Sequence, residues 1–452
     1  MSRRADDLLT DLTAPLTRRS CLTHVEHLPS RAARTAPWPA WTDPDLLEHL
    51  RSRGIHEPWI HQAEAAELAH AGRHVVLATA TASGKSLGYL LPALTAVGAR
   101  AVDRTQPRAT VLYLSPTKAL AADQLTNITA LADGAGIANA RVATFDGDTP
   151  PEQRRWIRRH GTVVLTNPDM LHFGILPGHD QWATFFRALR YVVVDECHSY
   201  RGVFGSHVAM VLRRLRRIAA LYRADPTFVL ASATVAGPGI SASRLIGAEV
   251  EAVTEDGSPR SGVTFALWEP GTRARVDGRP GRAEDGSATD STGDPAETLD
   301  AAAEAAGRHP DDRGPSREEP QRRSATSETA ALLADLVEHG VQTLAFARSR
   351  RGAELVASGA RRLLEQKADR GGPADLADAA TRVAAYRGGY LASERRELED
   401  RLRDGDLRAL ASTNALELGI DIAGLEAVLI AGWPGTRASL WQQAGRAGRT
   451  QD

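Results

Sequence analysis

Cysteine is nearly absent from this sequence. The two that occur, Cys21 and Cys197, argue against a disulfide framework and exclude a four-cysteine zinc site within these 452 residues. A reducing, cytoplasmic setting is the expected localisation. No apolar run approaches the roughly 20 residues needed to span a bilayer, so no membrane partner is expected. The start, Met1-Ser2-Arg3-Arg4-Ala5-Asp6-Asp7, meets acid before any apolar block and does not read as a secretory signal. Neither sign of charge dominates. At a net charge of -1, local patches and not the sum decide whether a polyanion binds.

Lysine is scarce in a more informative way. Only Lys85, Lys118 and Lys367 occur, and arginine supplies the rest of the positive charge. A lysine kept in such a chain marks either a place that needs a compact ammonium or a residue left by biased base composition. Position has to decide between these.

The length favours two or three domains, and 42% hydrophobic with 25% charged residues describes a soluble globular protein. Residues 1–55, with Pro37, Trp38, Pro39, Trp41 and Pro44, read as an N-terminal accessory segment. Over 56–257, short apolar runs at 74–78, 110–114, 141–144, 162–165, 191–194 and 227–230 alternate with helical stretches. Several are apolar on both faces, as buried parallel strands require, so the expected class is a doubly wound α/β sheet. A second α/β domain is expected over 258–452, with its first strand at 263–267. Its later strands are expected at 342–347, 383–386, 407–411 and 427–430, and its helices at 329–339, 351–366 and 393–403. Within it, 271–327 loses almost every bulky apolar residue and is expected to be disordered.

Chemistry concentrates in three places. Thr79-Ala80-Thr81-Ala82-Ser83-Gly84-Lys85-Ser86 lies between an apolar strand and a helix start. That is the setting of a phosphate loop, although the strict pattern has glycine where Thr79 stands. Lys85 would reach outer phosphates and Ser86 would hold Mg²⁺; the bland reading is a strand-to-helix turn. Tyr191-Val192-Val193-Val194 runs into Asp195 and Glu196, placing two carboxylates at the carboxyl edge of a sheet. Asp195 suits a metal held through water, and Glu196 suits orienting and deprotonating the attacking water. In Gln442-Gln443-Ala444-Gly445-Arg446-Ala447-Gly448-Arg449, two arginines three apart could converge on one phosphate, though by itself, in so arginine-rich a chain, this spacing is better read as a basic surface cap.

Together these stretches resemble the superfamily 2 helicases of the DEAD/DEAH-box type. His61-Gln62 precedes the phosphate loop; Ser115-Pro116-Thr117-Lys118-Ala119-Leu120 resembles motif Ia and Leu165-Thr166-Asn167-Pro168-Asp169 motif Ib. Asp195-Glu196-Cys197-His198 is a DExH motif II and Ser232-Ala233-Thr234 motif III. Phe346 to Arg350, Thr413 to Asp421 and Gln442 to Arg449 resemble motifs IV, V and VI, in family order. Phe145-Asp146-Gly147-Asp148-Thr149 and Cys197 to His207 narrow the resemblance to the MrfA/YprA-type bacterial DNA-repair helicases.

The resemblance implies two tandem RecA-like domains with an ATP cleft between them, ATP and Mg²⁺ as cofactors, and 3′→5′ movement on single-stranded or partly duplex DNA. RNA is the alternative substrate, and repair-pathway proteins are possible partners. Gln62 would contact adenine, Gly419 and Asp421 the ribose side, and Gln442 the water. Arg446 and Arg449 would be arginine fingers. His198, Ser232 and Thr234 would couple hydrolysis to movement, and Thr117, Thr166, Arg348 and Thr413 would lie along the nucleic-acid backbone. The family usually adds a C-terminal four-cysteine domain. None lies in these residues, so the chain is expected to be a truncated piece, with a non-catalytic nucleic-acid-binding fragment as the alternative reading.

Overall fold

A computed structural model describes residues 5–81, 83–99, 108–271, 322–371, 373, 375–387, 389–417 and 424–448. The disorder expected at 271–327 falls largely outside the described residues. Its last three positions belong to helix Ala325–Glu338, started by the Ser324 side chain accepting from Ser327 N–H. The chain divides into two compact units, Ala32–Pro259 and Met1–Arg31 with Arg260–Asp452.

In chain order the described strands are β1 (Leu22–Leu28), β2 (Val75–Ala78), β3 (Thr110–Leu114), β4 (Val142–Thr144), β5 (Val163–Thr166), β6 (Leu189–Val194) and β7 (Thr227–Ser232). β8 (Glu251–Val253), β9 (Val263–Trp268), β10 (Thr343–Phe346), β11 (Val383–Tyr386), β12 (Ala409–Ser412) and β13 (Ala427–Ile430) follow.

The 32–259 unit holds a seven-stranded sheet in the order β4-β5-β3-β6-β7-β2-β8, parallel throughout. Its strands carry apolar side chains on both faces because both faces are covered. Val75, Leu77, Val111, Tyr113, Val193 and Val229 enter one core, while Val76, Leu112, Leu114, Val192, Val194 and Leu230 enter the other. Strand alternation thus feeds two helix layers from one sheet. The second unit repeats the scheme with order β11-β12-β10-β13. Ala345, Ala385 and Ala411 face one core; Leu344, Phe346, Tyr386 and Leu410 face the other.

The fold departs from the sequence reading in two places. The accessory segment is shared between the units: β1 pairs antiparallel with β9 in a separate two-stranded sheet, so 263–268 is not a strand of the parallel sheet. β1 gave no alternation to read because only every third residue of Leu22–Leu28 is half-buried. β8, three residues long, adds an edge beside β2. The Arg213–Arg217 run tethers a neighbouring helix: Arg213 Nη2 donates to Arg244 O and Arg216 Nη1 to Gly247 O, closing the C-terminal carbonyls of helix Pro238–Ile246.

Candidate nucleotide-binding site

In a parallel sheet every strand ends at the same edge, so segments far apart in sequence are brought together there. Residues 79–86 follow β2, 115–120 follow β3, 195–198 follow β6, and 232–234 close β7. The chemistry-bearing stretches of this unit therefore share the carboxyl edge of one sheet.

The loop after β2 is tied internally. Thr79, which replaces the usual glycine, is buried and its hydroxyl lies 2.6 Å from the equally buried Ser83 hydroxyl, closing the loop across its width. Gly84 stands in the left-handed region at φ 61° and starts helix Lys85–Gly98. A Cβ there would lie 2.6 Å from Gln62 Nε2 and 2.7 Å from Trp59 Cζ3, so glycine is required by both space and conformation. Lys85 Nζ donates to Ala80 O at 2.7 Å and to Thr79 O at 3.4 Å. Its ammonium is thus held over the loop. Ser86 is half-buried, and its hydroxyl bonds to no other described residue.

A second layer holds this loop from behind. His61 is fully buried; Gly257 N–H donates to its Nδ1 at 3.2 Å, so its proton sits on Nε2 and is given to Ser83 O at 2.8 Å. Ala80 N–H donates to Asp256 Oδ2 at 3.3 Å. Gln62 accepts from Trp59 N–H at 2.8 Å and donates to Gly84 O at 2.9 Å. One of its two amide protons is therefore committed to the loop, and adenine contact would fall to the other.

The carboxylates sit across the edge. Asp195 is buried; Glu196 N–H donates to its Oδ1 at 2.9 Å, and the Tyr113 hydroxyl donates to its Oδ2. Tyr89, one turn beyond Lys85, has its hydroxyl 3.3 Å from that of Tyr113. Since Tyr113 gives its proton to Asp195, Tyr89 is the donor in the tyrosine pair. Burial and then the Glu196 charge raise Asp195 to about 6, while the Tyr113 bond and Lys85 pull it down. Both tyrosines are driven far from ionisation by burial and by the Asp195 charge. Desolvation, then the Glu196 and Asp195 charges, push the Cys197 thiol up to about 12, which leaves it unreactive.

Glu196 occupies the left-handed region at φ 47°, a conformation that costs a non-glycine residue about 1–2 kcal/mol. Ser199 Oγ donates to its carbonyl at 2.7 Å and secures the turn. His198 Nδ1 lies 3.2 Å from Glu196 Oε2 and 3.2 Å from Ala233 N. Unprotonated, that nitrogen accepts from Ala233; protonated, it donates to Glu196. His198 thus links motif II to the Ser232–Thr234 segment, where Ser232 is buried and Thr234 exposed.

The donor set suits a nucleotide phosphate chain with a divalent cation. A glycine-started helix N-terminus and an ammonium meet the anion, and an uncommitted serine hydroxyl and a buried carboxylate suit the metal. Among the described residues no cluster of three or more His, Cys, Asp or Glu side chains forms a metal site by itself.

Of the residues expected along nucleic acid, Thr117 caps helix Lys118–Gly134 by accepting from Leu120 N–H. Thr166 needs correction. It is buried and its hydroxyl donates to Phe145 O at 2.6 Å, so its side chain serves the sheet and is not presented to a strand. Lys118, exposed, pairs with Asp148 at 2.7 Å. The loop carrying Asp148 is fixed by Arg154, which donates to Asp146 O and Thr149 O, each at 2.8 Å.

In the second unit Arg348 is exposed just beyond β10, and the Thr413 hydroxyl accepts from Ala415 N–H at 3.4 Å. Gln442 and Arg446 are buried; Arg446 Nη2 donates to Glu417 O at 2.7 Å and Gln443 Nε2 to Glu417 Oε2 at 3.0 Å. Ala82, Gly419, Asp421 and Arg449 lie outside the described residues. Sequence reasoning missed His61, Asp256, Tyr89, Tyr113 and Glu417. His61 carried a signal as the neighbour of Gln62, and Glu417 as part of the motif V stretch.

Two family models match in tandem: DEAD/DEAH box helicase over residues 59–241, and helicase conserved C-terminal domain over 328–451. The chain is 38% identical to the uncharacterized ATP-dependent helicase YprA of Bacillus subtilis, over 98% of this chain and 51% of that protein. It is 36% identical to the ATP-dependent helicase HRQ1 of Saccharomyces cerevisiae, over 95% of this chain and 35% of that one. The crystal structure of the DUF1998 helicase MrfA bound to DNA and AMPPNP superposes with a TM-score of 0.79 at 37% identity, covering 99% of this chain and 54% of that one. The chain therefore spans about half the length of YprA and about a third of HRQ1.

Proposed function

This chain belongs to the superfamily 2 DExH-box helicases of the MrfA/YprA type, and on that premise we propose that it is the ATP-driven core of a DNA helicase. We propose further that it moves 3′→5′ on single-stranded DNA in a repair process. The observation that carries the core assignment is the convergence of Lys85, Ser86, Asp195, Glu196 and His198 on one edge of a parallel sheet. DNA is favoured over RNA because the MrfA structure that matches nearly this whole chain was bound to DNA.

When bound, ATP and Mg²⁺ supply the phosphoanhydride and the cation that its oxygens need. The protein's own part starts with Lys85, whose ammonium exchanges the carbonyls of Thr79 and Ala80 for phosphate oxygens. The Ser86 hydroxyl and Asp195 would hold the metal, and Glu196 would orient a water and receive its proton. The helicase resemblance would give Gln442 the role of assisting the water, and Arg446 and Arg449 that of neutralising charge on the transferred group. Gly419 and Asp421 serve the ribose side. Thr117, Arg348 and Thr413 grip the strand backbone, contacts that are sequence-independent and weaken with salt.

ATP hydrolysis measured alone, with single-stranded DNA and with RNA tests this reading. Stimulation by DNA, abolished in Lys85→Ala, is expected. Stimulation by RNA alone would move the substrate to RNA, and strand binding without hydrolysis would leave a binding fragment. Stimulated hydrolysis surviving in Lys85→Ala would sink the site.

A further inference from the structure

The edge opposite the nucleotide site carries a second concentration of charge. A cavity of about 190 Å³ opens where β3, β4 and β5 begin, lined by Arg108, Arg141, Arg158, Arg159 and His160 together with Asn139. Among the described residues no Asp or Glu lines it.

The bland account is helix capping. Arg158, Arg159 and His160 end helix Pro151–His160, and cations are favoured at a helix C-terminus. That account does not reach Arg108 and Arg141, which enter from the starts of β3 and β4 and point charge into the same space. Their partners carry no negative charge. Arg108 Nη1 donates to Asn139 Oδ1, Arg141 Nη1 lies 3.4 Å from His160 Nδ1, and the Arg158 guanidinium sits 5.8 Å from the Phe145 ring centroid. Among the described residues none of the four arginines has a carboxylate partner. Arginines elsewhere in this chain commonly do: Arg18 with Asp335, Arg34 with Glu255, Arg73 with Glu251, Arg382 with Asp378. Like charges held together in a concave site raise a strong positive potential, and four guanidinium forks match the oxygens of phosphate.

We propose that this cavity is an anion site that binds phosphate groups, separate from the nucleotide site on the opposite edge of the sheet. The phosphate comes either from a nucleic-acid backbone or from a free phosphorylated molecule.

The test uses the full chain carrying Lys85→Ala, which silences the phosphate loop, and titrates it calorimetrically with inorganic pyrophosphate. Arg141→Gln and Arg159→Gln, both at exposed positions, are made singly and together, with melting curves to confirm folding. Pyrophosphate binding that weakens about tenfold or more in the double variant is expected from losing two charge-assisted contacts; Arg141→Lys, which keeps the charge, should retain much of it. A parallel arm measures single-stranded DNA affinity against salt. A slope of log K on log salt reduced by about 1.4 in the double variant identifies a nucleic-acid backbone as the source. An unchanged slope with lost pyrophosphate binding identifies a free phosphorylated ligand. Absence of pyrophosphate binding, or equal binding in every variant, together with an unchanged DNA slope, overturns the proposal.

Discussion

Tyr113→Phe removes one oxygen from the floor of the nucleotide site and exposes how that site is held. The ring keeps its volume, so no cavity forms and the lost hydroxyl is the whole perturbation. Two buried groups depend on it. Asp195 Oδ2 loses a donor, and Tyr89, whose hydroxyl lies 3.3 Å away, loses its acceptor. A buried hydrogen bond to a charged group contributes about 1.5–3 kcal/mol, and an orphaned buried hydroxyl costs about 1–3 kcal/mol. Since part of the charge penalty escapes through protonation, about 3 kcal/mol of destabilisation at pH 7.5 is expected. In a unit of this size that lowers the melting transition by about 6–12 °C. The sign on acid behaviour follows from the same bond. Tyr113 pulls the Asp195 carboxyl down from a value already raised by burial and by Glu196, so without it the carboxyl titrates above about 6. Hydrolysis that needs the ionised carboxylate should then fail at higher pH than in the parent, and more Mg²⁺ should be needed for half-maximal rate. Differential scanning calorimetry and a pH–rate profile at saturating ATP are the assays. A variant as stable as the parent, with an unmoved or lowered acid limb, refutes the tyrosine relay.

Three further changes probe the same edge. Asp195→Asn in metal-free buffer should become more stable than the parent as pH rises from 3.8 to about 6, by up to about 3 kcal/mol. The sign follows because a raised carboxyl pKa penalises the folded state only once the group ionises; urea unfolding that shows a pH-independent difference rejects the raised pKa. Gly84→Ala forces a Cβ at φ 61° against Gln62 and Trp59 and should abolish measurable nucleotide binding while costing about 1–3 kcal/mol, with intact binding by fluorescence titration as the contrary result. Thr79→Gly restores the strict loop pattern yet should weaken nucleotide binding by about threefold to tenfold, because the Thr79–Ser83 bond is lost and glycine adds freedom; equal or tighter binding would show that bond to be idle.

How much of this was legible depended on the range of the forces involved. β3, β11 and β13 lie at the residues their apolar runs indicated, 110–114, 383–386 and 427–430, because both faces of each strand meet a core and a short apolar run of strand length marks such a strand. β1 and β8 escaped because their pairing is decided by partners, β9 and β2, far along the chain. The site divides the same way. Lys85, Ser86, Asp195 and Glu196 announce themselves through spacing at strand ends. Tyr113 reads as one more apolar strand residue until the fold sets its hydroxyl on Asp195, 82 positions later. Thr166 erred in the other direction: motif order placed it toward the strand, while the last residue of β5 turned its hydroxyl inward to Phe145 O.

The missing loop glycine shows what a motif constrains physically. Glycine at the start of a phosphate loop serves a tight turn and close backbone approach. Here the turn is kept by other means: Thr79 and Ser83 join hydroxyl to hydroxyl, and His61 takes the Ser83 carbonyl from behind. Asp256 receives the Ala80 N–H. Glycine is kept only at Gly84, where Gln62 and Trp59 leave no room for a side chain. The lysine question resolves by the same reasoning. Lys118 pairs with Asp148 and Lys367 with Asp335, contacts at surface or part-buried positions that an arginine could also make. Lys85 is different, because its ammonium must sit within 2.7 Å of a loop carbonyl inside a turn six residues wide. A compact ammonium suits that contact better than the broader planar fork of a guanidinium, which accounts for lysine there in a chain that otherwise uses arginine.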